Sequence, residues 1–183
     1  MNMRNSIIYL FSAVLLLAGC RERKAEQFQA LPFPDVQLPG MLVDTQDRAE
    51  YMAEHWWDRF TDTENIYPSD SMLVNGVSKD DVEQKFANWT SVLSVSSQSV
   101  ATKAVRRLYD RVVGVERQDT SSNVFETFTG LMEKYLYDPN SPLRNEDLYG
   151  PYAECLSKCE FVSEGMRAAY ARDAEMCSLN RVG

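Results

Sequence analysis

Apolar residues recur every three or four positions through almost all of the chain after residue 44, and nowhere do they alternate every second position for long. A 3.6-residue period places such residues on one stripe of a helix, so the pattern admits helices packed on helices and argues against a sheet core. Ala49, Met52, Ala53, Trp56, Trp57 and Phe60 predict a first helix over 45–60, with Asp44 as its cap. Residues 61–77 are polar, contain Pro68 and Gly76, and read as a loop. Ser78, with Asp81 three residues on, caps a second helix through Leu93 whose stripe is Val82, Phe86, Trp89 and Leu93. Ser97 or Ser99 opens a third, carrying Val100, Ala104, Leu108, Val112 and Val115. Ser121 or Ser122 opens a fourth, which the Asp138-Pro139-Asn140-Ser141-Pro142 run stops. A fifth covers about 145–158, kinked or late-starting because of Pro151, and a sixth covers 163–180. The predicted fold class is therefore all-α, a single domain of about six helices in an orthogonal or antiparallel array over residues 44–183.

The first 43 residues have a different character. Arg4 precedes an apolar run over residues 6–17, about a dozen residues and too short to cross a hydrocarbon core of roughly 30 Å. A positive flank, a short apolar segment and small residues at its end describe a cleaved secretory signal. Leu17-Ala18-Gly19-Cys20 resembles a lipobox, which implies cleavage after residue 19 and acylation of Cys20. Two or more acyl chains anchor stably, at about 0.8 kcal/mol per buried CH₂. Residues 20–43 then form a tether in which Pro32, Pro34 and Pro39 forbid a continuous helix. It reaches at most roughly 60–70 Å, although Phe28, Leu31, Phe33 and Val36 allow part of it to lie on the domain. Some bacteria retain a lipoprotein at the inner membrane when aspartate follows the lipidated cysteine; here Arg21 follows, and no acidic export cluster is present. The expected location is the cell envelope, at the outer membrane and facing the periplasm.

Charge narrows the partners. The 183 residues carry a net charge of −8; removing residues 1–19 takes away Arg4 and no acid, leaving 18 basic against 27 acidic side chains, or −9. Such a surface argues against nucleic acid and against broad electrostatic attraction to anionic lipid.

Phe33-Pro34, Met41-Leu42, residues 48–51, His55-Trp56-Trp57-Asp58-Arg59-Phe60 and above all residues 133–149 carry a family likeness. They resemble a helical domain of unknown function from Gram-negative lipoproteins, where it usually precedes a thioredoxin-like domain. The resemblance covers roughly residues 32–183 and implies an extracytoplasmic helical module with no catalytic residues to carry over. The chain stops at Gly183, about where that second domain would begin, and contains no Cys-x-x-Cys. The family's redox activity is therefore not expected here, and a separate thioredoxin-like partner is. Tyr137, Arg144 and Tyr149 are the candidate interface, tyrosine and arginine being favoured at such surfaces.

Other candidate chemistry finds less support. Cys155 and Cys159 are one helical turn apart, about 6 Å between Cβ atoms, too far for an unstrained bridge. In an antiparallel hairpin of the last two helices Cys155 faces about Ala168 and Cys177 faces about Glu146, an offset of roughly 13 Å. All three are expected to remain thiols, with no metal site completed by His55 and no cofactor. His55 reads as a packed residue beside two tryptophans. With neither a nucleophile–base pairing nor an acid pair, the chain is not expected to be an enzyme. Trp56, Trp57, Tyr135, Tyr137, Tyr149 and Tyr152 leave open an alternative, a lipoprotein whose aromatic groove binds a glycan or peptide. Asp70-Ser71-Met72 resembles a short O-glycosylation motif.

Cys20→Ser should yield a chain that is not acylated and partitions into the aqueous phase on detergent extraction. Membrane retention equal to that of the parent would contradict the anchor.

Overall fold

The computed structural model describes residues 29–67 and 70–179; the signal segment, Cys20 and the last four residues lie outside the described part. The first helix, α1 (Thr45–His55), begins where the Asp44 carboxylate accepts the amides of Gln46 at 2.7 Å and Asp47 at 3.1 Å. It ends five residues before the predicted Phe60. The chain continues as turns, in which Arg111 donates to the Asp58 carbonyl and Thr61 donates its hydroxyl to the Trp57 carbonyl at 2.7 Å.

The all-α expectation fails in the segment between the first two helices. Strands β1 (Leu73–Val74) and β2 (Val77–Ser78) pair antiparallel, with Leu73 opposite Ser78 and Val74 opposite Val77. Asn75 and Gly76 join them with φ of 46° and 76°. That is the backbone an Asn-Gly hairpin turn demands. The Asn75 amide donates to the Phe60 carbonyl at 2.8 Å, tying the hairpin to the end of the first helical region. Leu31 donates its amide to the Gly76 carbonyl at 2.8 Å, and a Cβ at Gly76 would lie 2.9 Å from the Leu31 side chain. Part of the proline-rich segment thus lies on the body.

Helix α2 (Lys79–Val95) is capped by Ser78, whose hydroxyl accepts from Asp81 N at 3.2 Å. It buries Val82, Phe86, Trp89 and Leu93. Helix α3 (Gln98–Gln118) crosses both α1 and the helix over Glu146–Leu156, and α4 (Val124–Met132) runs straight into a π-helical turn over Glu133–Tyr137. Helix α5 (Glu146–Leu156) keeps Pro151 inside it. The Asp147 carbonyl, four residues earlier, loses its helical donor there and accepts from Gln98 Nε2 at 3.4 Å instead. Helix α6 (Glu164–Leu179) packs back along α5 as a hairpin. These two helices approach tightly at Gly150, where an added Cβ would sit 3.0 Å from Cys177 Cβ. Cys177 therefore faces Gly150 rather than Glu146, one turn away from the predicted register.

The core centres on Trp57. Its ring meets Phe33 at 5.6 Å, Phe60 at 5.8 Å, Trp89 at 6.0 Å and Phe128 at 4.7 Å between centroids. Beside it Asp58 receives Arg107 in a two-pronged contact, Nε to Oδ1 at 3.0 Å and Nη2 to Oδ2 at 2.7 Å. Burial opposes the Asp58 charge, yet the hydrogen bonds from Arg107 and His55 and the charges of Arg107 and Arg111 hold its carboxyl below the ordinary aspartate value.

Candidate functional site

The aromatic residues singled out in the sequence do not converge on one groove. Trp57 and Tyr152 are core residues, and Trp56 packs against that core from the side of α1. His55 stacks on Tyr51 at 4.2 Å and sets Nδ1 2.7 Å from Asp58 Oδ2. Cys159 and Cys177 are buried, and Cys155 is half-buried with its sulfur 3.6 Å from Arg106 Nη1. Burial pushes the Cys155 thiol above its ordinary value despite that guanidinium. Among the described residues no group of three or more His, Cys, Asp or Glu is placed to hold a metal ion. Asp70 folds its own turn by accepting Met72 N at 2.6 Å, with Ser71 and Met72 exposed beside it.

The three predicted interface residues Tyr137, Arg144 and Tyr149 all line one groove, at different depths. The π-helical turn closes with Asp138 N donating to the Glu133 carbonyl at 2.9 Å, one residue wider than an α-turn. Such turns are frequent at functional sites, and here the extra residue changes the direction of the side chains after it. Ser141 then donates its hydroxyl to the Tyr135 carbonyl at 2.6 Å, and Asn145 donates its amide to the Leu136 carbonyl at 2.9 Å. These bonds fold residues 138–145 back onto the turn. Tyr135 donates its hydroxyl to Glu83 at 2.7 Å, fixing the turn to α2. As a result Tyr137 lies flat on Tyr149, with centroids 4.3 Å apart and planes 12° off parallel.

Tyr149 is a correction. It is only 1% exposed, so it supports Tyr137 from beneath instead of meeting a partner across an open face. It follows Leu148 at the start of α5, where the stripe that packs on α6 also captures its ring. Arg144 is exposed as expected, with its guanidinium turned to Glu146.

A groove of about 670 Å³ opens between the π-helical turn and α6. Its far wall is Tyr170 and Asp173, residues that sequence reasoning missed. Tyr170 lies one heptad before the buried Cys177, and that spacing was the available signal. Tyr170 donates its hydroxyl to Glu133 Oε1 at 2.8 Å, and Tyr137 donates to Asp173 Oδ1 at 3.2 Å, so the two walls are cross-braced. Burial, then the negative charges of Glu133 and Asp173, hold the Tyr149 phenol far above its ordinary value, and it keeps its proton. Burial and neighbouring carboxylates raise Tyr170 and Tyr137 as well. Of the cations on the rim, Lys134 turns to Glu83 and Arg144 to Glu146. The arrangement offers phenolic oxygens and carboxylates to whatever enters the groove.

Residues 17–180 match the family described as a domain of unknown function, DUF5106. The chain belongs to that family. It is also similar to a solved structure of a thioredoxin-like protein from Bacteroides caccae, at 29% identity and a TM-score of 0.64. The likeness covers 81% of this chain and 48% of that one, so the chain spans about half the length of that structure. Together with the β1–β2 hairpin, this kinship replaces the all-α class with a mainly helical DUF5106 domain related to thioredoxin-like proteins. No curated protein matches the chain.

Tyr149→Ala should cost about 3–5 kcal/mol in denaturant unfolding, as deletion of a buried aromatic ring does. Arg144→Ala should stay within about 0.5 kcal/mol of the parent. Equal effects would contradict the placement of the two side chains.

Proposed function

We propose that this DUF5106 domain is a lipid-anchored, extracytoplasmic interaction module that performs no chemistry itself and holds a thioredoxin-like domain near the membrane. The likeness to about half of a thioredoxin-like protein carries this reading. A thioredoxin-type redox centre is a Cys-x-x-Cys beside a βαβ unit. The 183 residues contain no such motif, and the described residues hold only a two-stranded antiparallel sheet. In this reading the thioredoxin-like part is therefore a separate domain that the module holds.

Acylation at Cys20 would place the module at the envelope, facing the periplasm from the outer membrane. Among the described residues no helix is long and apolar enough to cross a membrane, so attachment in this reading rests on the lipid. Cys20 is eleven residues from Leu31, which is already bound to the body. Those residues reach at most about 40 Å, a shorter leash than the full proline-rich segment would give. The docking face is the groove between the π-helical turn and α6, with Tyr137 and Arg144 at its edge.

A pull-down from detergent-solubilised membranes should recover a protein of thioredoxin-like fold, identified by mass spectrometry. Tyr137→Ala with Arg144→Ala should lower its recovery about tenfold, the effect of losing roughly 1.4 kcal/mol of binding. Recovery of the chain alone, or a double variant that binds as well as the parent, would remove this reading.

A further inference from the structure

Several large apolar side chains are left in the open around the β1–β2 hairpin, and they connect with one another. A Cβ at Gly76 would lie 2.9 Å from Leu31 Cδ1 and 3.0 Å from Tyr67 Cδ1, so the Leu31 and Tyr67 side chains share one seat over the turn. Ile66, next to Tyr67, is 80% exposed, and Met72, next to Leu73 of β1, is 70% exposed. Ile66, Tyr67 and Leu73 line one cleft, while Leu31 and Tyr67 line the adjoining one, which makes the apolar band continuous. Exposed apolar residues scattered singly are ordinary, whereas a connected patch marks a surface for another protein or for lipid.

The leash to Cys20 decides between those occupants. It leaves the body at Leu31, whose amide is bonded to the Gly76 carbonyl, in the middle of this band. That point of departure is held firmly. Phe33 packs on Trp57 and Phe60, and Asp35 pairs with Lys85 at 2.6 Å. Acylation at Cys20 would bring this end of the body to within at most about 40 Å of a bilayer. Met41 and Val43 are also exposed, yet they precede Thr45, at the other end of α1 from the hairpin that Asn75 ties to Phe60. With the chain already anchored, a second contact is intramolecular and a small apolar area suffices. Asp62, Glu64 and Asp70 lie in the same stretch. Anionic headgroups therefore gain nothing from it, and what remains is apolar insertion into the interface of a zwitterionic bilayer.

We infer that the hairpin end is the membrane-facing end of the body, with Leu31, Ile66 and Met72 resting in the interfacial layer of the bilayer that holds the Cys20 acyl chains. This rests on the proposed acylation of Cys20 and adds to it a fixed orientation of the domain.

Residues 20–183 contain a single isoleucine, Ile66, so its methyl is an unambiguous reporter. The test uses the acylated chain, ¹³C-labelled at isoleucine and methionine methyls, in phosphatidylcholine nanodiscs that include a phospholipid with a nitroxide headgroup. Spectra are compared before and after ascorbate reduces the nitroxide. The Ile66 and Met72 signals should be lost in the paramagnetic bilayer and return with ascorbate, while Met41 keeps most of its own. Ile66→Asp should restore the Met72 signal and leave the other methyl shifts in place, since the side chain is exposed. Ile66 and Met72 signals weakened no more than Met41, or a Met72 signal lost as fully in Ile66→Asp, would overturn the orientation and leave the anchor standing. Concentration-dependent shifts of Ile66 in lipid-free Cys20→Ser would give the face to a second copy and overturn the orientation as well. An intact mass without acyl chains on Cys20 would overturn the anchor and the orientation together.

Discussion

The indole of Trp57 joins parts of the chain that are far apart in sequence. Phe33 comes from the proline-rich segment, Phe60 from the turns after α1, Trp89 from α2 and Phe128 from α4, and all four touch it. Its Nε1 is buried with no hydrogen-bond partner among the described residues. An orphaned donor costs about 1–3 kcal/mol. Burying an aromatic ring of roughly 150–250 Å² returns on the order of 4–6 kcal/mol at about 25 cal/mol per Å², so packing outweighs the lost bond. Next to it in sequence, Asp58 takes Arg107 and His55, and its carbonyl takes Arg111. The same few residues thus end α1, bind it to α3 and seat the aromatic core.

The groove depends on that core through a short physical path. Phe86 in the cluster lies 5.6 Å from Tyr135 at the centre of the π-helical turn, and Leu136 beside it is fully buried. With Leu136 held inside and Asp138 bonded to Glu133, Tyr137 is directed outward onto Tyr149. The widened turn is a local departure from helical geometry that the surrounding packing over-determines, the usual condition for such a feature to persist. Its product is a preformed surface. Tyr137, Tyr149 and Tyr170 occupy fixed places before any ligand arrives, which lowers the ordering cost of binding.

How much of this fold is legible in the sequence depends on how far each signal reaches. Caps are local, and Asp44, Ser78 and Asn145 all stand where their helices begin. The hairpin escapes because its strands are two residues each, too short for any alternation, although Asn75-Gly76 is itself a hairpin signal. The end of α1 is misplaced because its apolar period continues to Phe60, while the turns that replace the helix there are tied through the Asp58 carbonyl to Arg111 from a distant segment. Tyr149 resembles an interface residue by type alone, and only the α5–α6 hairpin shows that it is buried. Asp173 and Glu133 carry no motif. They matter because two helices set them against tyrosines 36 and 37 residues away in sequence, an arrangement that only the tertiary fold creates.

The central claim is that the π-helical turn and the loop behind it are frozen by the core, so that the groove exists in the free protein. Native-state amide hydrogen exchange tests this residue by residue. The amides of Asp138 and Asn145, bonded to the Glu133 and Leu136 carbonyls, should exchange only through global unfolding, with the same opening free energy as Leu108 in the middle of α3. Exchange of Asp138 and Asn145 through a local opening, at rates close to those of the exposed Val43, would contradict the account.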